Sequence, residues 1–317
     1  MRRICCETLK SMNHQIIAVV VTYEPDPDVL MALLHAVGPQ VGAVVIVDNG
    51  SKIDFSSLGY ERPPGRTVTL IRLAENKGIA AAQNVGIAEA MRRNAEYVLL
   101  LDHDSVPAPD MVEKLRLACR ELTLAGKKIA AAGPSYRIPN TNCSSYFVRF
   151  GMLRFKKIYS RDCAAGQYIP ADFLISSGCL IPLSALKDIG LMDETLFIDH
   201  VDTDWFLRAK AKKYLFVGVT DASMNHCLGD SLFTFGFRKQ RALPVHHPLR
   251  FYYIYRNSLL LYARPYASKK WIINDLVRLG LMFIFFTTIT PPRLQYLKMI
   301  GKGIFDGLRG VCGRYPA

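Results

Sequence analysis

No G-x-G-x-x-G follows the first apolar run of this chain, and no G-x-x-x-x-G-K-[ST] occurs anywhere. An ordinary dinucleotide cradle and a P-loop are therefore excluded. Cys5, Cys6, Cys119, Cys143, Cys163, Cys179, Cys227 and Cys312 form no C-x-x-C pair and no zinc spacing. They read as free thiols of a reducing compartment rather than as a disulfide framework. The apolar run from Leu279 to Ile289 is about a dozen residues long, short of the ~20 that cross a bilayer. Ile16 to Val21 is short and lacks a small-residue cleavage pattern, so it reads as a first strand and not a signal peptide. Residues 1–14 read as a lead-in, with Met12 a candidate start. Acids are scarce at one end: Ser231 to Ala317 holds 14 Lys+Arg against 2 Asp+Glu, while residues 1–230 hold 26 against 25. The net charge of +13 is thus a nearly neutral body with a basic tail that faces something anionic. Half the residues are apolar, enough for a sizeable core.

What the chain does have is an apolar run that ends in paired acids. Tyr97-Val98-Leu99-Leu100-Leu101 leads straight into Asp102-His103-Asp104-Ser105. A run this rich in Val and Leu reads as a strand buried on both faces. Alternate residues of an extended chain share a side, so Asp102 and Asp104 can aim at one object. Pro107 and Pro109 stop the strand and leave the acids at its carboxyl end, the edge where open α/β sheets bind ligands. Two convergent carboxylates suit a hard divalent cation, and such a cation suits a phosphate. A solvated turn explains the same two acids when they are taken alone.

The other apolar runs repeat the pattern. Ile16 to Thr22, Ala43 to Val47 and Thr67 to Leu73 read as strands, and Asp48 stands at the end of the second. Asp28 is placed to cap a helix beginning at Val29. Glu75-Asn76-Lys77-Gly78 opens a helix over Ile79 to Arg92. Its Ala80, Ala81, Ala82, Gly86 and Ala88 allow close approach to a sheet or a ligand, and Asn84 among them can offer an amide to a sugar or ribose. A helix over Asp110 to Leu124 and a strand over Ile129 to Gly133 follow. Residues 134–172 mix aromatic, basic and turn residues, as a hairpin or loops over a site would. Phe173 to Ile181 is a further apolar segment, broken at Ser176-Ser177-Gly178, where the glycine permits close backbone approach. Strands and helices alternating at this spacing predict βαβ units, a mostly parallel sheet and right-handed connections.

Asp199, His200, Asp202 and Asp204 gather at the start of a helix running to Lys213. One acid there caps the helix; three are more than a cap needs. One can serve as general base toward a substrate hydroxyl, with the helix dipole keeping it ionised and weakening it as a base. Tyr214 to Val219 returns as a strand, and His226 beyond its end can complete a hard-metal site with Asp104. In the tail, residues 251–262 form an aromatic helix carrying Arg256. The run Leu279 to Ile289 lies between Asp275 and Arg278 on one side and Pro291-Pro292-Arg293 on the other. An apolar patch flanked by Lys and Arg fits an interfacial helix on anionic lipid; a buried core helix with a solvated basic face is the competing reading. Nucleic-acid binding has only the net charge in its favour, because no such module is visible.

Taken in order, Asp48, Asn76-x-Gly78, Asp102-x-Asp104 and Val201-Asp202-Thr203-Asp204 resemble the family 2 glycosyltransferases of the GT-A fold, across residues 15–230. Leu100 to Ser105, Phe173 to Leu180, Phe197 to Asp204, Arg250-Phe251-Tyr252-Tyr253 and Arg256-Asn257 look more narrowly like the bacterial rhamnosyltransferases of that family. Those include O-antigen enzymes and the enzyme adding the second rhamnose of rhamnolipids. The resemblance implies an α/β GT-A catalytic domain over 15–230, its mostly parallel central sheet flanked by helices. It implies a helical, basic, membrane-associating region over 231–317. Thr22, Tyr23 and Asp48 would hold the base and ribose of a nucleotide sugar. Asn76, Gly78 and Asn84 would line its pocket, and Asp102 would contact the ribose or the metal. Asp104 and His226 would bind Mg2+ or Mn2+. Asp202 matches the second residue of the family's acidic pair, its catalytic base. Val201 replaces the first residue, which leaves Asp199, Asp202 and Asp204 in competition. Processive members carry Q-x-x-R-W, and its absence here favours single addition.

The implied reaction is inverting transfer of L-rhamnose from dTDP-L-rhamnose to a hydroxyl of a lipid-linked saccharide, in O-antigen or other cell-surface polysaccharide synthesis, or of a glycolipid. The implied place is the cytoplasmic face of the inner membrane, held peripherally on its anionic surface. A UDP-sugar donor is the nearest alternative. A non-catalytic nucleotide-sugar-binding protein is the alternative of another class.

Overall fold

The computed structural model describes residues 15–53, 55, 67–137, 146–226, 231–235 and 241–316. The lead-in and Cys5, Cys6, Cys143 and Cys227 lie outside the described residues. Cys119, Cys163, Cys179 and Cys312 are free thiols.

Four apolar runs build one half of the main sheet. β1 (Ile16–Thr22), β2 (Ala43–Asp48), β3 (Thr67–Arg72) and β4 (Tyr97–Asp102) lie in the order β3-β2-β1-β4, all parallel. Every residue of β1 and β2 is buried, as strands covered on both faces require. The cover comes from α1 (Pro27–Val37), α2 (Ile79–Arg92) and α3 (Met111–Leu124). α1 begins at Pro27 and is capped by Asp26, not by Asp28. Asp26 Oδ1 accepts the N–H of Asp28 at 2.9 Å and of Val29 at 3.4 Å. Pro27 suits the first turn because it has no N–H to satisfy there. The small face of α2 packs on the sheet: a Cβ on Gly86 would stand 2.2 Å from Val19 Cγ1.

The second half of the sheet is mixed. β5 (Ser105–Pro107), β6 (Ile129–Arg137), β9 (Tyr168–Ala171), β10 (Leu180–Pro182) and β11 (Leu215–His226) complete it. β10 runs antiparallel between β4 and β6, while β11 is parallel to β6 and antiparallel to β5 and β9. β7 (Tyr146–Phe150) and β8 (Phe155–Tyr159) form an antiparallel hairpin within the region expected to hold one. β6 and β11 are longer than their apolar runs. β11 shifts register between Val219 and Ser223, and its end then pairs with β5. Of the apolar segment Phe173 to Ile181, only Leu180 and Ile181 enter a strand. Ahead of them the Gly178 N–H donates to Leu100 O at 2.7 Å, the close approach its glycine permits.

α4 (Leu183–Ile189) and α5 (Val201–Ala211) precede β11; β12 (Ser231–Phe235) and β13 (Arg241–Val245) follow it as a hairpin. The tail is α6 (Pro248–Tyr262), α7 (Lys269–Thr288) and α8 (Arg293–Leu308). Phe251, Ile254, Tyr255, Leu279, Phe286, Tyr296 and Ile300 form their common core. α7 is 20 residues long, well beyond its apolar run, and by length and composition alone it is long enough to cross a membrane. Only 28% of its most apolar stretch is buried. Asp275 and Arg278 interrupt the apolar pattern without ending the helix, because they pair with each other at 2.6 Å.

Candidate active site

Asp102 ends β4, and Asp104 stands in the turn to β5. β5 sets Ser105 opposite His226, the last residue of β11. That register brings three ligand types together: donor atoms of Asp102, Asp104 and His226 all lie within 4.8 Å of one another. His226 Nδ1 is 3.3 Å from Asp104 Oδ1 and 2.7 Å from Ser105 Oγ. Ser105 Oγ is 2.7 Å from Ser177 Oγ, which accepts the Asp102 N–H at 3.0 Å. A chain of hydroxyls therefore ties the imidazole to the backbone of the first acid.

The charges of this cluster are unbalanced. Burial opposes a charged His226 ring, but the bond to Asp104 and the charge of Asp102 outweigh it and raise its pKa. Burial likewise opposes ionisation of Asp104, and the His226 bond and charge overcome it, so its pKa falls. Asp102 is relieved only in part: desolvation leads, the His226 charge offsets some of it, Asp104 adds repulsion, and its pKa rises. Two carboxylates are hard donors and the imidazole a borderline one, and the strained charge of Asp102 is what a cation would relieve. These residues fit a divalent ion.

The competition among the three acids of α5 and its approach is decided by their partners. Asp199 is clasped by Arg250, Nη2 to Oδ1 at 2.6 Å and Nε to Oδ2 at 3.0 Å. Asp204 is fully buried, its Oδ2 accepting Arg208 Nε at 2.8 Å and its Oδ1 accepting the Tyr266 hydroxyl at 2.5 Å. Asp202 is paired with no Lys or Arg among the described residues, and its Oδ1 accepts the Thr203 N–H at 2.7 Å. Burial pushes its carboxyl up to about 6, helped by the charges of Asp199 and Asp102 and opposed by the backbone N–H groups of Thr203 and Ser176. Desolvation thus outweighs the helix dipole, and Asp202 is a stronger base than its place at a helix start suggests.

On the other side of the sheet, Asp48 is fully buried at the end of β2. Its Oδ1 accepts the Thr22 hydroxyl at 3.3 Å and the Ser51 hydroxyl at 2.5 Å, and its Oδ2, which has no hydrogen bond among the described residues, lies 3.5 Å from Arg72 Nε in an ion pair. Thr22 is itself fully buried, so its hydroxyl orients Asp48, while Tyr23 after it is 46% exposed. Asn76 Oδ1 accepts Asn49 Nδ2 and the Gly78 N–H, both at 3.0 Å, which fixes the entry to α2. Gly78 has φ +89°, and a Cβ there would lie 2.4 Å from Phe197 O. Asn84 is used differently from the reading of it as a sugar-facing amide. Its Nδ2 donates to Met192 O at 3.0 Å and Glu194 Oε1 at 2.8 Å, and its Oδ1 accepts the Met192 N–H at 2.9 Å. Both amide hydrogens are spent on holding the loop before Phe197, since a buried amide must be satisfied from within.

The sequence profile of the family described as Glycosyl transferase family 2 matches residues 17–190. The chain belongs to that family. This transferase is 31% identical over 312 residues to the dTDP-rhamnosyl transferase RfbF of Shigella flexneri, covering 96% of this chain and 100% of that one. It is 24% identical over 279 residues to the galactofuranosyltransferase GlfT1 of Mycobacterium tuberculosis, covering 86% and 90%. Among solved structures, S. aureus TarS 1-349 matches with a TM-score of 0.56 at 15% identity, over 92% of this chain and 80% of that one. GalNAc-T7, crystallised with UDP, GalNAc and Mn2+, matches at 0.58 and 11% identity, over 94% and 56%. These likenesses establish the GT-A fold of the transferase.

Several residues of the transferase site carry no role in the sequence reading. Ser105 and Ser177 form the hydroxyl chain, Arg250 clasps Asp199, and Asn257 reaches the loop before α5. Ser105 has one visible signal, its position directly after Asp104. Ser177 lies in the Ser176-Ser177-Gly178 break ahead of β10, whereas Arg250 and Asn257 face the site only because α6 folds back on it, and no spacing reports that.

Proposed function

We propose that this transferase moves L-rhamnose from dTDP-L-rhamnose to a hydroxyl of a lipid-linked saccharide or glycolipid, with inversion. The carrying observation is the convergence of Asp102, Asp104 and His226 in one cluster, with Asp202 as the one acid of its group left unpaired by a cation. The likeness to RfbF along nearly the whole chain supports the choice of donor.

Asp102, Asp104 and His226 would hold Mg2+ or Mn2+. Such an ion, when bound, neutralises charge on a leaving diphosphate. The exposed ring of Tyr23 offers a face for the base, and Asp48 Oδ2, ion-paired with Arg72 but without a hydrogen bond among the described residues, an acceptor for a base N–H. Asn76 and Gly78 shape the wall between that pocket and the approach to α5. Asp202, with a pKa near 6, is ionised at neutral pH and still basic enough to take a proton. The acceptor oxygen attacks the anomeric carbon from the face opposite the nucleotide. As the new C–O bond forms, the bond to the diphosphate breaks and the hydroxyl proton passes to Asp202. One displacement inverts the configuration and leaves no covalent enzyme intermediate.

A cavity lined by Tyr136, Tyr146, Phe173, Ile175, Ser177 and Met224 shares Ser177 with the hydroxyl chain. Its largely apolar wall suits the methyl group of a 6-deoxyhexose. α7 and α8 expose Leu276, Leu281, Ile284, Leu294, Phe305 and Leu308 in the basic tail. That face suits a peripheral seat on the anionic cytoplasmic surface of the inner membrane, where a lipid-linked acceptor is presented.

The donor is tested by nucleotide release from dTDP-L-rhamnose beside a panel of UDP-sugars, with a crude lipid acceptor fraction. Turnover with dTDP-L-rhamnose is expected. Turnover with UDP-sugars alone would remove the rhamnosyl assignment and leave the family standing.

A further inference from the structure

The backbone just before Asp202 is held in a costly shape. Phe197, Asp199 and His200 have φ of 64°, 62° and 62°. None is glycine, and left-handed backbone in residues with side chains persists only where the surroundings over-determine it. His200 is the residue that caps α5, so this loop sets where α5 starts and where Asp202 points.

The restraint comes from α6. Asn257 is fully buried, and its Nδ2 donates to Leu196 O at 2.9 Å, Ile198 O at 2.8 Å and Asp199 O at 2.9 Å. Arg256 is fully buried too. Its Nη2 donates to Leu196 O at 3.0 Å and its Nη1 to Gly313 O at 2.5 Å. Its Nε donates to Asn257 Oδ1 at 2.9 Å, which fixes the orientation of the Asn257 amide. Ser258 Oγ lies 3.0 Å from His200 Nε2, and Arg250 at the start of α6 clasps Asp199. A buried arginine and asparagine are expensive in a helix that could pack with apolar residues. Here the Asn257 amide is aimed at carbonyls of the strained loop and the residue before it, and Arg256 holds that amide, the Leu196 carbonyl and the Gly313 carbonyl together.

We propose that Asn257 and Arg256 are positioning residues, which hold the left-handed loop 197–200 so that the Asp202 carboxylate faces the acceptor hydroxyl. The proposal rests on the reading of Asp202 as the base. It makes the C-terminal helices part of the active site as well as a surface for docking. Donor binding is built on β1, β2 and α2, and α2 meets the restrained loop at one point, where the Ile79 N–H donates to Phe197 O at 2.8 Å.

The test compares steady-state rates of wild type, Asp202→Asn and Asn257→Asp, with dTDP binding measured by calorimetry. Asn257→Asp keeps the bond from Arg256 but sets a carboxylate against three carbonyl oxygens. The expected result is a kcat lower by on the order of 10²-fold, as about 1 Å of misplacement produces. Donor KM and dTDP affinity stay within about twofold of wild type, the split that marks a loss confined to the transition state. Wild-type kcat in Asn257→Asp, or equal losses of kcat and dTDP affinity, would overturn the proposal while an inactive Asp202→Asn kept the base reading in place. Wild-type turnover in Asp202→Asn would remove that reading and this proposal together. Should Asn257→Asp fail to fold, Asn257→Ser decides. It removes the amide donors to the Leu196, Ile198 and Asp199 carbonyls without adding a charge, with the same split expected and an unchanged kcat overturning the proposal.

Discussion

His226 Nδ1 lies 3.3 Å from Asp104 Oδ1, although the chain crosses the sheet repeatedly between the two residues. Backbone pairing makes the meeting: three residues of β5 lie against the last three of β11, and Ser105 stands opposite His226. The Ser105 hydroxyl then binds the imidazole and Ser177 together. Ser105→Ala should therefore weaken the cation site without unfolding the sheet. Partners of this kind are worth about 10–100-fold in metal affinity. A Mn2+ titration of turnover should need that much more ion at half-maximum; an unchanged curve would show the hydroxyl chain to be idle.

The Asp202 carboxyl titrates near 6. As the base it must be ionised, so turnover should rise with pH through about 6 and level off above it. Stability runs the other way. Burial lifts the folded pKa above the unfolded one, so this group's contribution is full below the unfolded pKa and is lost as pH rises through about 6. Asp202→Asn removes that cost. It should cut turnover by about 10²–10⁴-fold. It should also melt higher than wild type at about pH 8 and with no advantage at about pH 3. A lower Tm for the variant at the higher pH would contradict this.

Gly86 lets α2 approach β1 more closely than any side chain allows, since a Cβ would meet Val19 Cγ1 at 2.2 Å. Gly86→Ala should cost about 1–3 kcal/mol by overpacking. Trimming the partner with Val19→Ala should return part of that loss, and urea unfolding of the four members of the cycle would show the coupling. Additive losses would place the clash elsewhere.

How much of this was legible follows from how each residue announces itself. β1, β2 and β4 are unbroken apolar runs, so burial on both faces is written in them, and Asp48 and Asp102 follow at their ends. The continuation of β11 past Val219 is not. Thr220 and Asp221 lie in the register shift, and Ser223 and Asn225 break the apolar pattern while their backbone still pairs with β6; backbone pairing leaves no trace in side-chain type. Asn84 misleads for a related reason: an amide on a helix face looks the same whether its partner is a ligand or the Met192 backbone. Asp199, Asp202 and Asp204 could not be ranked from the sequence. The cations that occupy two of them, Arg250 and Arg208, differ from other basic residues only in where the fold puts them.

The exposed face of α7 should bind anionic lipid. Leu281 is 65% exposed and Ile284 59% exposed. Changing both to Asp should abolish co-sedimentation with phosphatidylglycerol vesicles and leave turnover on a soluble acceptor intact. Raising the salt should weaken wild-type binding, since attraction of a basic tail to a charged surface is screened over about 8–10 Å. Vesicle binding by the double variant equal to wild type would place the lipid contact on another face.

The most direct measurement is nucleotide release from dTDP-L-rhamnose with a lipid acceptor fraction, run on wild type and Asp202→Asn, each with Mg2+ and with EDTA. The account predicts dTDP release by wild type with Mg2+ alone, loss of it in EDTA, and loss of it in Asp202→Asn under either condition. Release that persists in EDTA, or at wild-type rate in Asp202→Asn, would contradict it.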